Sequence, residues 1–416
     1  MGASRAARRR GATLAFGLLA AAWTGDGHAQ VENAPSEPTE RAPSEPVLVD
    51  ATPADPAGGA ATGPVSVDFG PTRGLVVESD ALDARFELHF ATWIRAELDA
   101  PDGQDAIFAF DVPLARPLLQ ISLFENRIRL LFQPELAGAS PTLLDLQLEL
   151  ELDPAFVIRI GQFRTPYSRA FITPIVTLTF PDRGFVDDTF RLDRDTGLML
   201  SGITPGGVFE YAAGVFNGAL INGNLGDLPA PTAIVRLGLN LGDHIPMDQV
   251  PSLAAERDLA GGAIAVGAAY RRWRVPADSP TGLAQESGHL QTDWTLALGP
   301  VTATAEGFLR FTRDELATDW SLAWGSFAQV GVMVVPRWLE VAARGGWMDP
   351  DADASGNFIQ IYEVGLSLYP VIDDLALGHH LKAQLRYAYE RAADAFGTRI
   401  VEGDRHRVML QIQAWM

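Results

Sequence analysis

The sequence predicts an all-β fold, a transmembrane antiparallel β-barrel of about sixteen strands, on three observations. Apolar and polar residues alternate with period two in segment after segment from residue 85 to the C-terminus. Hydrophobic residues make up 47% of the chain, yet after the N-terminal leader no stretch approaches the roughly 18–20 apolar residues of a membrane helix. Tight turn sequences alternate with longer polar connections, as they do where hairpins cross a bilayer in pairs.

The N-terminus carries Arg5, Arg8, Arg9 and Arg10, then the apolar run Gly11 to Trp23, too short to span a bilayer, and small residues at Gly27 and Ala29. This is the layout of an export signal, so residues 1–29 are expected to be a cleaved signal peptide. Residues 30–70 are rich in Pro, Ala and Glu, with Pro35, Pro38, Pro43, Pro46, Pro53 and Pro56, and read as a flexible linker. The barrel is expected over residues 71–416. The chain has no cysteine, so its stability must come from backbone pairing and packing.

Alternation is clear in Arg85 to Leu98, where Phe86, Leu88, Phe90, Ile94 and Leu98 share one face and Arg85, Glu87, His89, Arg95 and Glu97 the other. Leu144, Leu146, Leu148, Leu150 and Leu152 likewise oppose Asp145, Gln147, Glu149 and Glu151. Such segments place strands near 85–98, 115–124, 127–136, 142–152, 156–163, 195–202, 207–217, 231–242, 260–273, 288–299, 301–313, 321–335, 337–348, 356–369, 379–391 and 405–416. An even number puts both termini on the periplasmic side. Connections there are mostly short (Glu125-Asn126, Asp153-Pro154-Ala155, Thr204 to Gly207, Gly299-Pro300, Pro336-Arg337), and 243–259 breaks this rule. In the last strand Val408, Leu410, Ile412, Ala414 and Met416 face outward, with Met416 where barrel assembly usually reads an aromatic residue.

The net charge is −20; residues 1–29 hold four of the 32 basic and one of the 52 acidic residues, leaving −23 for the mature chain. That excess excludes nucleic acid as a partner, because binding phosphate backbones needs clustered Lys and Arg. Lys382 is the only lysine, so positive charge comes almost entirely as planar guanidinium groups.

Four blocks lie around the longest extracellular connection: Gly161-Gln162-Phe163-Arg164-Thr165-Pro166-Tyr167, Asp182-Arg183-Gly184-Phe185, Arg194 to Gly202 (RDTGLMLSG) and Tyr211 to Gly218 (YAAGVFNG). In order and spacing they resemble the phosphate-selective porin O and P family of bacterial outer-membrane porins, from about residue 70 onward. The resemblance implies an outer-membrane homotrimer among lipids and lipopolysaccharide, and a third extracellular loop, residues 164–194, folded inward to constrict the pore. It implies a water-filled diffusion channel for small anions such as phosphate, although the family's lysine cluster is missing and the expected selectivity is modest. A general, non-selective porin is the alternative. Apolar Phe171, Ile172, Ile175, Val176, Leu178 and Phe180 in that loop also need somewhere dry to pack, inside the barrel or as a lid over its mouth.

The alternation puts Arg127, Arg129, Arg159, Arg236, Arg310, Arg344 and Arg386 inside the pore, with Arg85, Arg95, Lys382 and Arg407. The loop adds Arg164, Arg169, Arg183, Arg191 and Arg194. Rows of guanidinium groups suit phosphate or carboxylate solutes, because each makes paired charge-assisted hydrogen bonds. The opposing reading pairs them with Glu87, Glu97, Asp145, Glu149, Glu151, Glu306, Glu340, Glu363 and Glu390, which also point inward.

No cofactor, metal site or catalytic residue is expected. The acidic stretch Asp349 to Gly356 lacks the glycine and bidentate Glu of a helix-loop-helix calcium site, and His379-His380 on a strand would point to opposite faces. A hydrolase using His89 or His289 with Ser122 or Ser367 lacks any strained-turn motif. A transporter for apolar solutes would need an apolar lumen and a plug that residues 30–65 are too polar and proline-rich to form.

Overall fold

The computed structural model describes residues 65–218, 221–222, 231–253, 259–274, 284–314, 317–372, 375–392 and 402–416. The expected signal peptide, and the expected linker as far as residue 64, lie outside these residues. In chain order the strands are β1 Ser66–Gly70, β2 Gly74–Ser79, β3 Ala84–Pro101, β4 Ile107–Leu123, β5 Ile128–Glu135, β6 Thr142–Asp153, β7 Phe156–Arg164, β8 Arg194–Ile203, β9 Phe209–Phe216 and β10 Thr232–Gly242. They continue with β11 Ala260–Arg274, β12 Ala284–Leu298, β13 Val301–Asp314, β14 Ser321–Val335, β15 Leu339–Asp349, β16 Ile359–Leu368, β17 Val371–Ile372, β18 Leu375–Ala376, β19 Leu381–Ala392 and β20 Gly403–Trp415. Two short helices, α1 Arg169–Ile172 and α2 Phe185–Phe190, lie between β7 and β8.

Every strand from β3 to β16 pairs antiparallel with the next; β16 then pairs with β19, β19 with β20, and β20 with β3. These sixteen strands close the wall, and each coincides with one of the segments expected from alternation. The β17–β18 ladder sits in the connection between β16 and β19.

The polarity of the two faces is the reverse of that in a soluble protein. On β20, Gln411 and Gln413 are buried while Val408, Leu410 and Ile412 are exposed; on β10, Arg236 and Asn240 are buried while Val235, Leu237 and Leu239 are exposed. An apolar outer band around a polar interior is what a bilayer selects.

One hairpin was not expected. Residues 66–70, placed by composition in the linker, form β1 and pair with β2, and β2 pairs with Ala84 to Leu88 of β3. The rest of that edge of β3, Ala91 to Pro101, pairs with β20, and between the two stretches Phe90 exchanges backbone hydrogen bonds with Met416. The hairpin therefore continues the pairing of this edge of β3 beyond the stretch held by β20, where unpaired backbone next to lipid would be costly. Its register aligns Val67 and Phe69 with Val77 and Leu75, and these with Phe86 and Leu88 on the outer face.

Irregularities are local. β4 begins at Ile107 rather than near 115, because Pro113 is taken up by a bulge opposite Ile94, where a missing amide costs no ladder hydrogen bond. Leu144, expected to face outward, is buried at a bulge between β5 and β6, with the carbonyls of Leu143 and Leu144 accepting from Gln162 Nε2 at 2.8 and 3.0 Å.

Candidate functional site

The site grows from the connection between β7 and β8. Gly161, inside β7, has φ = 125°, and a Cβ there would meet the Leu146 carbonyl oxygen at 2.2 Å, so only glycine fits. Thr165 ties the two roots of the loop together, its hydroxyl donating to the carbonyls of Leu192 and of Asp193 (3.0 Å). Ser168 accepts from the Phe171 amide at 3.1 Å, capping α1, and donates to Asp187 of α2. Gly184 has φ = 86°, and a Cβ on it would lie 2.9 Å from the Arg344 guanidinium carbon. Phe163, Tyr167, Val186 and Phe190 pack in one apolar cluster with Phe308, Phe327 and Met348 of the wall.

From Arg169 to Thr189 the segment hydrogen-bonds with side chains from seven strands. Lys382 Nζ donates to the Leu178 carbonyl at 2.7 Å, Gln384 Nε2 to that of Thr179 at 2.8 Å, and Gln413 Nε2 to that of Val176 at 2.9 Å. Arg95 reaches the Pro181 carbonyl (3.3 Å), Arg310 that of Thr189 (3.3 Å), and Glu306 accepts from the Ala170 amide. Asp182 is the hub: Arg344 donates to its carboxylate and its carbonyl, both at 2.9 Å, and Arg386 also donates to its carboxylate. Glu363 accepts from both guanidiniums.

Several of the expected pore arginines are ion-paired. Arg129 and Arg159 share Glu149; Arg194 forks onto Asp145 at 3.0 and 3.0 Å; Arg236 forks onto Asp293; Arg191 meets Asp188. A second group is held by main-chain oxygen instead. Arg164 donates to the carbonyls of Ile172 and Thr173 at 2.9 and 3.1 Å, Arg183 to those of Ala170 and Thr173 at 2.7 and 2.6 Å, and Arg169 to that of Pro246 at 3.3 Å. With Arg95, Arg310 and Lys382 they make six cations that bond to carbonyls and amides and form no salt bridge among the described residues. The Phe171 ring lies 5.6, 4.9 and 5.8 Å from the guanidinium carbons of Arg183, Arg191 and Arg194.

Burial shapes the charges of the loop. It pulls the Arg183 guanidinium down to about 9 despite Asp187, and pushes the Asp187 carboxyl up to about 6 against Arg191, Ser168 and Arg183.

Other expected positions fall elsewhere. Arg127 is exposed in the tight turn between β4 and β5, and Arg85 is exposed beside Glu78 and Glu87. His379 and His380 do not sit on a strand; they share one 3₁₀ turn before β19, where His379 faces Asp248 (3.2 Å) and His380 stacks on Trp415 at 4.3 Å. Neither suggested hydrolase pairing forms: His89 bonds Glu87, His289 bonds Ser287, Ser122 meets Gln120 and Ser367 donates to the Thr179 carbonyl. In the acidic stretch, Asp349 and Asp351 accept from amides two residues onward. Arg116, paired with Glu135, was overlooked because Pro113 and Pro117 interrupt the alternation around it.

No family model matches the chain, and no curated protein does. Its fold is similar to that of an anion-selective porin from Comamonas acidovorans, with TM-score 0.58 and 12% identity over 80% of this chain and 100% of that one. It is similar to OmpF of Salmonella typhi, solved with daunomycin, with TM-score 0.55 and 12% identity over 84% and 100%. The outer-membrane channel DcaP of Acinetobacter baumannii aligns with TM-score 0.53 and 12% identity over 81% and 99%. The chain thus shares the closed antiparallel barrel fold of these outer-membrane channels.

Proposed function

We propose that the chain forms a water-filled diffusion channel in the bacterial outer membrane for small polar solutes, with a modest preference for anions such as phosphate, and that residues 164–194 are its constriction. The observation that carries this reading is the set of six cations, Arg95, Arg164, Arg169, Arg183, Arg310 and Lys382, held at the loop by carbonyl and amide oxygens. A carbonyl orients a guanidinium without cancelling its charge, whereas a carboxylate neutralises it. Around the same loop, Glu306 and Glu340 accept from the Ala170 amide and the Tyr369 hydroxyl. Arg191 is shared by Asp187, Asp188 and Asp193, so the six cations exceed the carboxylates at the loop only by a small margin, in a chain that is acidic as a whole, and charge farther than about 8–10 Å is screened by ordinary salt.

The competing reading, a general channel with a merely transverse field, draws on the pairing of Arg129 and Arg159 with Glu149. Two readings of the sequence join the proposal: residues 1–29 are a cleaved export signal, and the protein assembles as a homotrimer among lipids and lipopolysaccharide.

The test is a planar-bilayer recording of the full mature chain in a KCl gradient, beside lipase and esterase assays. Anion-selective conductance without hydrolysis is the expected result. Replacing Arg95 and Arg310 by Ala removes two of the six cations, so the reversal potential should move toward cation preference. A channel already cation-selective and unmoved by that change is a general porin. Hydrolysis without conductance overturns the channel reading altogether.

A further inference from the structure

The 243–259 connection is long on the side where most of the others are tight, the stretch between β16 and β19 being another exception, and the porin reading leaves it without a purpose. Its described part, residues 243–253, is not spread over the rim. Ile245, Asp248, Gln249, Val250 and Leu253 are all buried, which a surface turn of this length would not require.

Its hydrogen bonds run to the middle of the β7–β8 loop. The Gln249 amide donates to the Thr177 carbonyl at 3.3 Å, the Thr179 amide donates to Gln249 Oε1 at 3.1 Å, and the Thr179 hydroxyl donates to the Gln249 carbonyl at 3.4 Å. Gln249 thus serves both polar ends of the Thr177–Thr179 backbone, as a neighbouring strand would. Farther along the loop, Arg169 donates to the Pro246 carbonyl at 3.3 Å. The segment is itself anchored: Asp248 accepts from the Val250 amide at 2.7 Å and meets His379 Nε2 at 3.2 Å, and Val250 and Leu253 pack with Met333 and Tyr369.

From the wall side the same stretch of loop is held by Lys382, Gln384 and Ser367. Loop backbone that would otherwise face water on its second side is therefore clamped between the wall and a segment entering from the opposite mouth. Buried backbone groups need partners on every side, and Gln249 supplies them where the wall does not reach.

We infer that residues 243–253 form a periplasmic strap that positions the β7–β8 loop through Gln249 and, on the channel reading above, sets the pore's cross-section jointly with it. The strap is a specificity-determining element built from the fourth periplasmic connection, and Gln249 is its positioning residue.

The chain has no cysteine, which makes a direct test clean. In the full barrel carrying Thr179→Cys, reaction with a small maleimide reads exposure of the clamped stretch. Excising residues 245–253 should speed labelling by roughly tenfold or more if the strap covers it. The same excision, in the chain without Thr179→Cys, should raise single-channel conductance roughly twofold, since conduction follows pore radius. Gln249→Ala, which keeps the strap but removes the oxygen facing the Thr179 amide, should increase open-channel flicker. Heat-modifiable mobility identifies the folded species. A folded excision variant with unchanged labelling overturns the strap, and unchanged conductance overturns its part in setting the pore. If the excision variant does not fold, unchanged flicker in Gln249→Ala overturns the inference. Should the unaltered chain fail to conduct, the channel reading fails, while the labelling result still decides whether the strap holds the loop.

Discussion

Replacing Asp182 by Ala removes one carboxylate from a four-member network and separates the loop's anchoring from its charge. In the native barrel Asp182 and Glu363 face Arg344 and Arg386, whose side chains are only 3% and 2% exposed, whereas that of Asp182 is 32% exposed. Removing one partner of a fully buried pair costs about 3–5 kcal/mol. Here Glu363 still accepts from both guanidiniums and Asp182 is partly wet, so the expected loss is about 2–3 kcal/mol. The electrical consequence is one added positive charge at the loop. A unit charge about 7 Å from a passing ion is worth about 0.6 kcal/mol at the permittivity of water, and roughly 0.1 M salt halves this. Because anions and cations shift in opposite directions, their difference is about 0.6 kcal/mol, or roughly threefold in permeability ratio. In a roughly tenfold KCl gradient that amounts to about 20 mV in reversal potential. The assay is reversal potential in a planar bilayer, with the temperature of the heat-dependent mobility shift as the stability readout. A variant that loses stability but keeps its reversal potential would refute the placement of Asp182 at the conducting constriction. One unchanged in both would refute the network itself.

Three further outcomes follow from the same geometry. Gly184→Ala combines a left-handed backbone with a Cβ 2.9 Å from the Arg344 guanidinium carbon, and should cost about 1–2 kcal/mol in the mobility-shift temperature; an unchanged temperature would mean the loop adjusts freely. Deleting residues 66–79 leaves Ala84 to Leu88 of β3 paired with β4 on one edge only, so the deleted barrel should denature several degrees lower while still closing through β20; equal stability would make the hairpin dispensable to the seam. The Asp187 carboxyl is raised to about 6 in the fold against about 3.9 unfolded, so the native chain holds a proton that the unfolded chain has released. The associated stability is complete below about pH 4 and lost as pH rises through about 6. Raising the pH from 5 to 7 should therefore lower the mobility-shift temperature, and Asp187→Asn should flatten that part of the slope; an identical slope in the variant would refute the burial of that carboxyl.

The barrel wall was legible because one physical constraint is written into every strand. Lipid outside and polar groups inside impose period two, so Leu146, Leu148 and Leu150 against Gln147 and Glu149 report both strand and face without reference to any neighbour. The same rule failed where the constraint relaxes. Pro113 in its bulge hid the first part of β4, and residues 66–70 looked like linker because five residues following a proline-rich stretch have too little alternation to read.

Charge was harder. Alternation set Arg236, Arg344 and Arg386 on the polar face, but which cation meets a carboxylate and which a carbonyl depends on residues far apart in sequence, such as Asp182 with Arg386 or Arg169 with Pro246. Loop 164–194 and connection 243–253 have no period to reveal where they lie. Their partners are single hydrogen-bonding groups on seven strands and on each other. The sequence by itself determined the number of wall strands, polarity of the faces and the loop's need to bury apolar residues, because these follow from local pattern against solvent and lipid. Only the tertiary structure decided how the arginines are shared and that Gln249 meets Thr179, because a hydrogen bond between distant segments depends on where closure of the barrel brings their backbones.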